Sequence, residues 1–236
     1  MTKKVVGLGE VLWDILAERT CLGGAPANFA YITALLGDEG IVASRVGQDS
    51  RGIEALQRMQ ELGLDTDHVQ IDTKHPTGTV NVRVDSEGRA QFDIAHPVAW
   101  DFLEWTPEWQ LLAQEADAVC FGSLAQRSGN SRFTIQQFLN APSPRAVKIF
   151  DVNLRQSYYS QEVVCESMKL ADIVKMNNEE LPRVMSLSGL PHGDERSSAA
   201  RLIDVYQLKL VCITRGASGS LLVRGQETSE HPGFRV

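Results

Sequence analysis

The sequence predicts an α/β fold: a mainly parallel twisted sheet with helices on both faces and a small β-hairpin lid. Short apolar runs alternate with stretches of helical period along most of the chain. Most of those runs stop at a glycine or a polar residue, as at Gly9, Gly122, Asp151, Asn177 and Thr214. Only one region breaks the rhythm, with apolar and polar residues alternating strictly around a turn. The 236 residues, 43% of them hydrophobic, suffice for a single α/β domain over 1–236 with the lid hairpin at about 77–96.

Lys4–Leu8 reads as a buried first strand that ends at Gly9-Glu10. Gly7-Leu8-Gly9 invites a dinucleotide-binding reading, but Leu12 stands where the third glycine belongs and no helix start follows at once. Asp14 closes the next apolar stretch. It is either a strand-end turn residue or a carboxylate aimed into a cleft.

Leu22-Gly23-Gly24-Ala25-Pro26-Ala27-Asn28 reads as a turn feeding a helix. Paired glycines admit positive φ and a close neighbour, and Pro26 suits the first helical turn. Asn28 then lies near unpaired N–H groups, a ready place for a polar or anionic ligand; the alternative is an ordinary turn with a local cap. That helix runs to Gly37 through Tyr31 and Leu35. Residues 41–44 form the next strand. Ser50 caps a helix with apolar residues at Ile53, Leu56, Met59 and Leu62, ending at Gly63.

Residues 79–84 and Ala90–Ile94 alternate with period two around the turn Asp85-Ser86-Glu87-Gly88. This is a hairpin, either a flap over a site or a plain edge hairpin. From Pro107 the α/β rhythm returns, with strands at 118–121, 147–152, 173–176, Leu210–Thr214 and 220–223. Helices fall at 131–139, 161–171 and 196–206, with a short one opened by Asn178 or Glu179. Ligands of such sheets bind beyond the carboxyl ends of the strands, where Asp14, Arg155, Asn177, Glu180 and Thr214 fall.

A net charge of −7 lacks the basic footprint of nucleic-acid binding and disfavours membrane surfaces. Cys21, Cys120, Cys165 and Cys212 have no metal-ligand spacing, which fits free thiols in a reducing, cytoplasmic setting. The start of the chain is too short and too polar for a signal peptide, and no apolar run approaches a membrane span.

Gly23-Gly24-Ala25-Pro26-Ala27-Asn28, Pro76-Thr77-Gly78-Thr79, Asp151-Val152-Asn153-Leu154-Arg155, Asn177-Asn178-Glu179-Glu180 and Thr214-Arg215-Gly216 occur in that order. Together they resemble the ribokinase-like (PfkB) carbohydrate kinase family over the whole chain. The first element, with Phe121-Gly122-Ser123-Leu124-Ala125-Gln126-Arg127, is most similar to the fructokinase-type branch. The resemblance implies ATP-dependent phosphorylation of a monosaccharide hydroxyl, with fructose or a related sugar as substrate and Mg²⁺ as the metal.

The roles implied by the resemblance fall on single positions. Asp14, Gly23, Gly24 and Asn28 match the sugar-binding positions. A carboxylate and an amide suit hydroxyls, which both donate and accept. Arg155 matches a position that balances phosphoryl charge; without the motif it would read as a surface ion pair. Asn177 and Glu180 match the Asn-x-x-Glu element beside the phosphates, with Glu180 reaching Mg²⁺ through water. Otherwise Glu180 reads as a helix-start carboxylate. Thr214 and Gly216 match the nucleotide side. In several members the lid also forms a homodimer contact.

The resemblance also implies a second signature, Asp-Thr-Val-Gly-Ala-Gly-Asp, whose last Asp is the general base and whose glycine N–H groups stabilise the transferring phosphoryl. It has no counterpart in this sequence, which stops at His231-Pro232-Gly233-Phe234-Arg235-Val236. The expectation is a chain without the base, and so inactive as given. It is either a sugar kinase cut short or a shortened relative that binds sugar or a partner subunit. A nucleotide-binding protein of another class, such as a dehydrogenase, is disfavoured by the failed glycine fingerprint.

Overall fold

The computed structural model describes residues 2–84, 90–141 and 143–234. The turn expected at 85–88 lies outside the described residues. The chain divides into two compact units, 1–120 with 125–146, and 121–124 with 147–236.

In the first unit, β1 (Lys4–Leu8), β4 (Glu39–Gly47), β5 (Val69–Asp72) and β8 (Ala118–Gly122) lie in the order β8-β1-β4-β5. The β1–β4 and β4–β5 pairs are parallel. Helix α1 (Ala25–Leu35) packs on β1 and β4, and α2 (Ser50–Glu61) packs on β4. The core beneath them holds Val11, Ala27, Ala30, Val42, Val46, Ala55 and Met59. Each large aliphatic side chain so buried contributes about 1.5–3 kcal/mol.

A second, four-stranded sheet in this unit runs β3-β2-β6-β7: β3 (Thr20–Gly23), β2 (Leu12–Ile15), β6 (Gly78–Val84) and β7 (Ala90–Ile94). The predicted hairpin is β6–β7, and it stands in this separate layer as expected. The layer is larger than the hairpin because two strands absent from the sequence reading complete it. Its root is firm: Trp13 of β2 is buried in the core and donates its indole N–H to the Arg51 carbonyl at 3.0 Å. Helices α3 (Pro107–Glu115) and α4 (Gly129–Asn140) pack on each other elsewhere in the unit.

The second unit carries β9 (Val147–Asp151), β10 (Ile173–Asn177), β11 (Leu210–Thr214), β12 (Ser220–Arg224) and β13 (Glu227–His231), in the order β13-β12-β11-β10-β9. The β9–β10 and β10–β11 pairs are parallel; β11–β12 and β12–β13 are antiparallel. Helices α5 (Gln161–Leu170), α6 (Glu180–Leu187) and α7 (Glu195–Tyr206) pack on β9, β10 and β11 respectively. Phe121 stacks on Phe150 with ring centroids 5.3 Å apart inside this unit.

Four expectations are corrected. Asp14 is not a turn residue: it lies inside β2, paired with Cys21 on one side and Val80 on the other. Leu22-Gly23 is not turn but the end of β3. The cap of α2 is Asp49, whose carboxylate accepts the Gly52 N–H at 2.8 Å, and Ser50 is the first helical residue. Ile53, expected on the buried face of α2, is 65% exposed, while Met59 is buried as expected, together with Gly52 and Ala55.

Candidate functional site

In the first unit, Asp14, Gly23 and Gly24 come together where β3 runs into α1. Asp14 pairs with Cys21 across β2–β3, and its carboxylate leans along the strand over Gly23. A Cβ on Gly23 would lie 2.5 Å from Asp14 Oδ2, so only glycine leaves that oxygen room. Gly24, the residue before α1, has φ +111°, and a Cβ there would strike the Glu10 carbonyl oxygen. Pro26 lies within the first turn of the helix and is buried. Asn28 donates its backbone N–H to the Gly24 carbonyl at 3.0 Å. Its side chain is exposed and, among the described residues, has no hydrogen-bond partner, so it is not a local cap.

The Pro76-Thr77-Gly78-Thr79 element has a structural job that the sequence alone does not show. Thr77 is buried, and both its N–H (2.8 Å) and its hydroxyl (2.7 Å) donate to Asp49. The same hydroxyl accepts the Gly47 N–H at 2.9 Å. Burial would raise the Asp49 carboxyl, but the bonds from Thr77 and Gly52 and the charge of Arg51 hold it below the usual carboxylate range. The signal for this contact is Asp49 beside Ser50, where two capping residues compete for one position.

In the second unit, β9, β10 and β11 end side by side. Asn177 and Thr214 are register partners at the ends of β10 and β11. After β9 the chain turns through Asn153 and Gln156, both at positive φ (+41° and +47°). Ser123 donates its hydroxyl to the Asn153 carbonyl at 3.2 Å. Glu180, 9% exposed, accepts the Leu154 N–H at one carboxylate oxygen and the Asn177 N–H at the other, each at 2.8 Å. Asn177 returns a bond, accepting the Glu180 N–H at 2.7 Å. The helix-start reading of Glu180 thus describes its contacts, and it also ties two strand-end loops together.

Arg155 is exposed and donates to the Leu154 carbonyl at 3.1 Å. It makes no ion pair among the described residues, against the surface ion pair that its residue type alone suggests. Thr214 accepts the Asn178 N–H at its carbonyl, 2.9 Å away. Gly216 has φ +56° and opens a 3-10 turn, Gly216–Ser218. The neighbouring Arg215 is held by Glu195 (Nε 2.7 Å) and by Glu230 (3.1 Å), so it is structural.

Among the described residues, no three His, Cys, Asp or Glu side chains gather as a metal cage. Each Glu180 oxygen accepts one of these backbone N–H groups and has a second lone pair, so the carboxylate fits a metal reached through water. Among the described residues no helix is long and apolar enough to cross a membrane.

A family model for pfkB family carbohydrate kinases matches residues 17–236. The chain belongs to the PfkB carbohydrate kinase family. It is 31% identical over 241 residues to the fructokinase of Escherichia coli, covering 96% of this chain and 76% of that protein. Its fold superimposes on fructokinase from Vibrio cholerae O395 in the fructose, ADP and calcium ion bound form, with a TM-score of 0.81. That match is 26% identical and covers 100% of this chain and 78% of the other. An uncharacterized sugar kinase from Pyrococcus horikoshii in complex with ATP gives a TM-score of 0.82 at 26% identity, covering 98% and 78%. The mostly parallel sheet with a smaller second sheet is therefore the PfkB sugar-kinase fold, and the chain's class is phosphotransfer to a carbohydrate.

Proposed function

We propose that this PfkB chain is a fructokinase-type kinase that uses ATP and Mg²⁺ to phosphorylate a hydroxyl of fructose or a related monosaccharide. The observation that carries the reading is Glu180. One carboxylate fixes both the N–H next to Arg155 and the N–H of Asn177, whose strand partner is Thr214. The loop that carries Arg155 and the strand end that carries Asn177 are thus tied by a single group. The fructose and ADP bound by the similar fructokinase, and the ATP bound by the similar sugar kinase, support the same choice of ligands.

On this reading, Asp14 and Asn28 bind sugar hydroxyls, and Gly23 and Gly24 leave the space that sugar and carboxylate need. Bound Mg-ATP supplies the phosphoryl group and neutralises its charge. Arg155, which makes no ion pair among the described residues, balances the developing negative charge on the phosphoryl oxygens. Asn177 orients Glu180, whose carboxylate would hold a water of the bound Mg²⁺. Thr214 and Gly216 border the nucleotide. The four-stranded layer covers the sugar, and Phe92, 50% exposed on its edge strand β7, supports a homodimer contact there. Four cysteines, none of them in a disulfide, fit a cytoplasmic enzyme.

Residues 1–236 contain no counterpart of the Gly-Ala-Gly-Asp base segment. By themselves they bind sugar and transfer phosphoryl poorly on this reading, because positioning and charge stabilisation are most of the catalysis. The test is ADP release by these residues alone and by a chain extended through such a segment, with fructose and a panel of sugars. Turnover only in the extended chain supports the proposal. Equal turnover by both overturns the placement of the base, and sugar binding without turnover in either favours a non-catalytic relative.

A further inference from the structure

We infer that Arg127 is a positioning residue for the sugar-side sheet, clamping the foot by which the β6–β7 hairpin returns to the body of the first unit. The inference goes beyond the proposed function and rests on that reading only where sugar affinity is the readout.

The hairpin has two feet. The leading foot, Thr77, is held by Asp49 as described. The trailing foot begins at Ala95, one residue after β7. Arg127 donates through Nη2 to the Ala95 carbonyl at 2.6 Å. The same guanidinium grips Asp101 through Nε at 2.8 Å and Nη2 at 2.9 Å, and it lies 3.9 Å over the Trp100 ring. Asp101 also accepts the Val98 N–H at 3.0 Å. The Arg127 and Asp101 side chains are 2% and 1% exposed.

A buried ion pair is weak evidence for stability, since well-packed apolar residues do as well or better. What an apolar pair cannot do is hold a backbone carbonyl and a carboxylate in one plane. The guanidinium fork does both at once, and a lysine ammonium cannot reproduce that geometry. The carbonyl so held belongs to a residue tied to the sugar side. Ala95 donates its own N–H to the Thr79 carbonyl at 2.9 Å, and Thr79 is the register partner of Trp13, the neighbour of Asp14. Ala99 donates to the Pro76 carbonyl at 2.8 Å, joining the two feet. Arg127 is therefore connected through Ala95 and Thr79 to the strand that bears the candidate sugar-binding carboxylate.

The experiment compares the parent chain with Arg127→Lys and with the double variant Asp101→Asn/Arg127→Met, which leaves no buried charge unpaired. Amide hydrogen exchange is followed strand by strand, with fructose and ATP titrations alongside. The expected result is exchange about tenfold faster in Gly78–Val84 and Ala90–Ile94, with Lys4–Leu8 and Glu39–Gly47 unchanged. Fructose affinity falls about fivefold or more while ATP affinity stays within about twofold, a split that general destabilisation would not produce. Arg127→Lys moves both readouts in the same direction by less. Uniformly faster exchange in all four strands, unchanged exchange in the hairpin, or equal losses for fructose and ATP overturns the inference. A parent chain that binds no fructose counts against the sugar-site reading alone, and the exchange comparison still decides the clamp.

Discussion

Asn177 and Glu180 hold each other across the turn that leads from β10 into α6: the Asn177 side chain accepts the Glu180 N–H at 2.7 Å, and the Glu180 carboxylate accepts the Asn177 N–H at 2.8 Å. The three-residue spacing is that of a capping box, in which two otherwise unpaired donors are satisfied reciprocally. Here the box has a third member, because the other Glu180 oxygen accepts the Leu154 N–H.

Glu180→Gln tests that third bond. The amide retains one acceptor oxygen but turns an NH₂ toward the second backbone donor. A charge-assisted bond is lost and a buried N–H faces another donor. The expected cost is about 1.5–3 kcal/mol in urea denaturation, with Glu180→Ala at least as damaging. A midpoint unchanged in both variants would show that the two loops do not depend on this carboxylate.

How far the sequence foretells this arrangement depends on burial. Strands β1, β8, β9, β10 and β11 carry short apolar runs and are legible at nearly their observed bounds. Strand β13, Glu227–His231, is exposed at every residue and has no apolar pattern to read. Strands β2 and β3 have four residues each, and the glycine that ends β3, with Gly24 after it, carries a turn signal stronger than the strand signal. Strand β5 is equally short. The site residues are legible through motifs, and motifs do not reveal who binds whom: the Thr77–Asp49 and Arg127–Asp101 contacts join residues 28 and 26 positions apart.

Acid should weaken the first unit through Asp49 and Asp72. Burial raises each carboxyl, yet hydrogen bonds outweigh it: from Thr77 and Gly52 on Asp49, and from Lys74 and His75, with the Arg45 charge, on Asp72. Both are thus more acidic in the fold than in the unfolded chain. Their stabilisation is present above the unfolded carboxylate value of about 3.9 and is lost as pH falls through it toward the folded values. Denaturation midpoints should hold from about pH 7 to 5 and drop below about pH 4. Asp49→Asn should flatten that acid limb; an unchanged slope would remove Asp49 from the account.

Arg155 offers a sharper separation of stability from function. It is exposed and makes no ion pair among the described residues, so Arg155→Ala should change stability by no more than about 0.5 kcal/mol. In the extended chain the same substitution should reduce turnover by about a hundredfold, the scale set by removing one charge stabiliser. Turnover close to the parent's would return Arg155 to an ordinary surface position.

Gly23 and Asp14 make the last test, because the two residues share one small volume. A Cβ on Gly23 would meet Asp14 Oδ2 at 2.5 Å, closer than real Cβ contacts come, so Gly23→Ala must displace the carboxylate or β3. Asp14→Ala removes the carboxylate outright and leaves sugar hydroxyls unpaired, at about 1–3 kcal/mol of binding. If Asp14 grips the sugar, the two variants should weaken fructose affinity similarly, each about tenfold or more, and the double variant should add little to either. Residues in contact that act through one interaction are not additive. If Asp14 only braces β2 against β3, Asp14→Ala should lower thermal stability and spare fructose affinity. Isothermal titration with fructose on the parent, both single variants and the double, read beside their melting temperatures, separates these outcomes. Additive losses of affinity would mean that Gly23 and Asp14 serve the sugar independently.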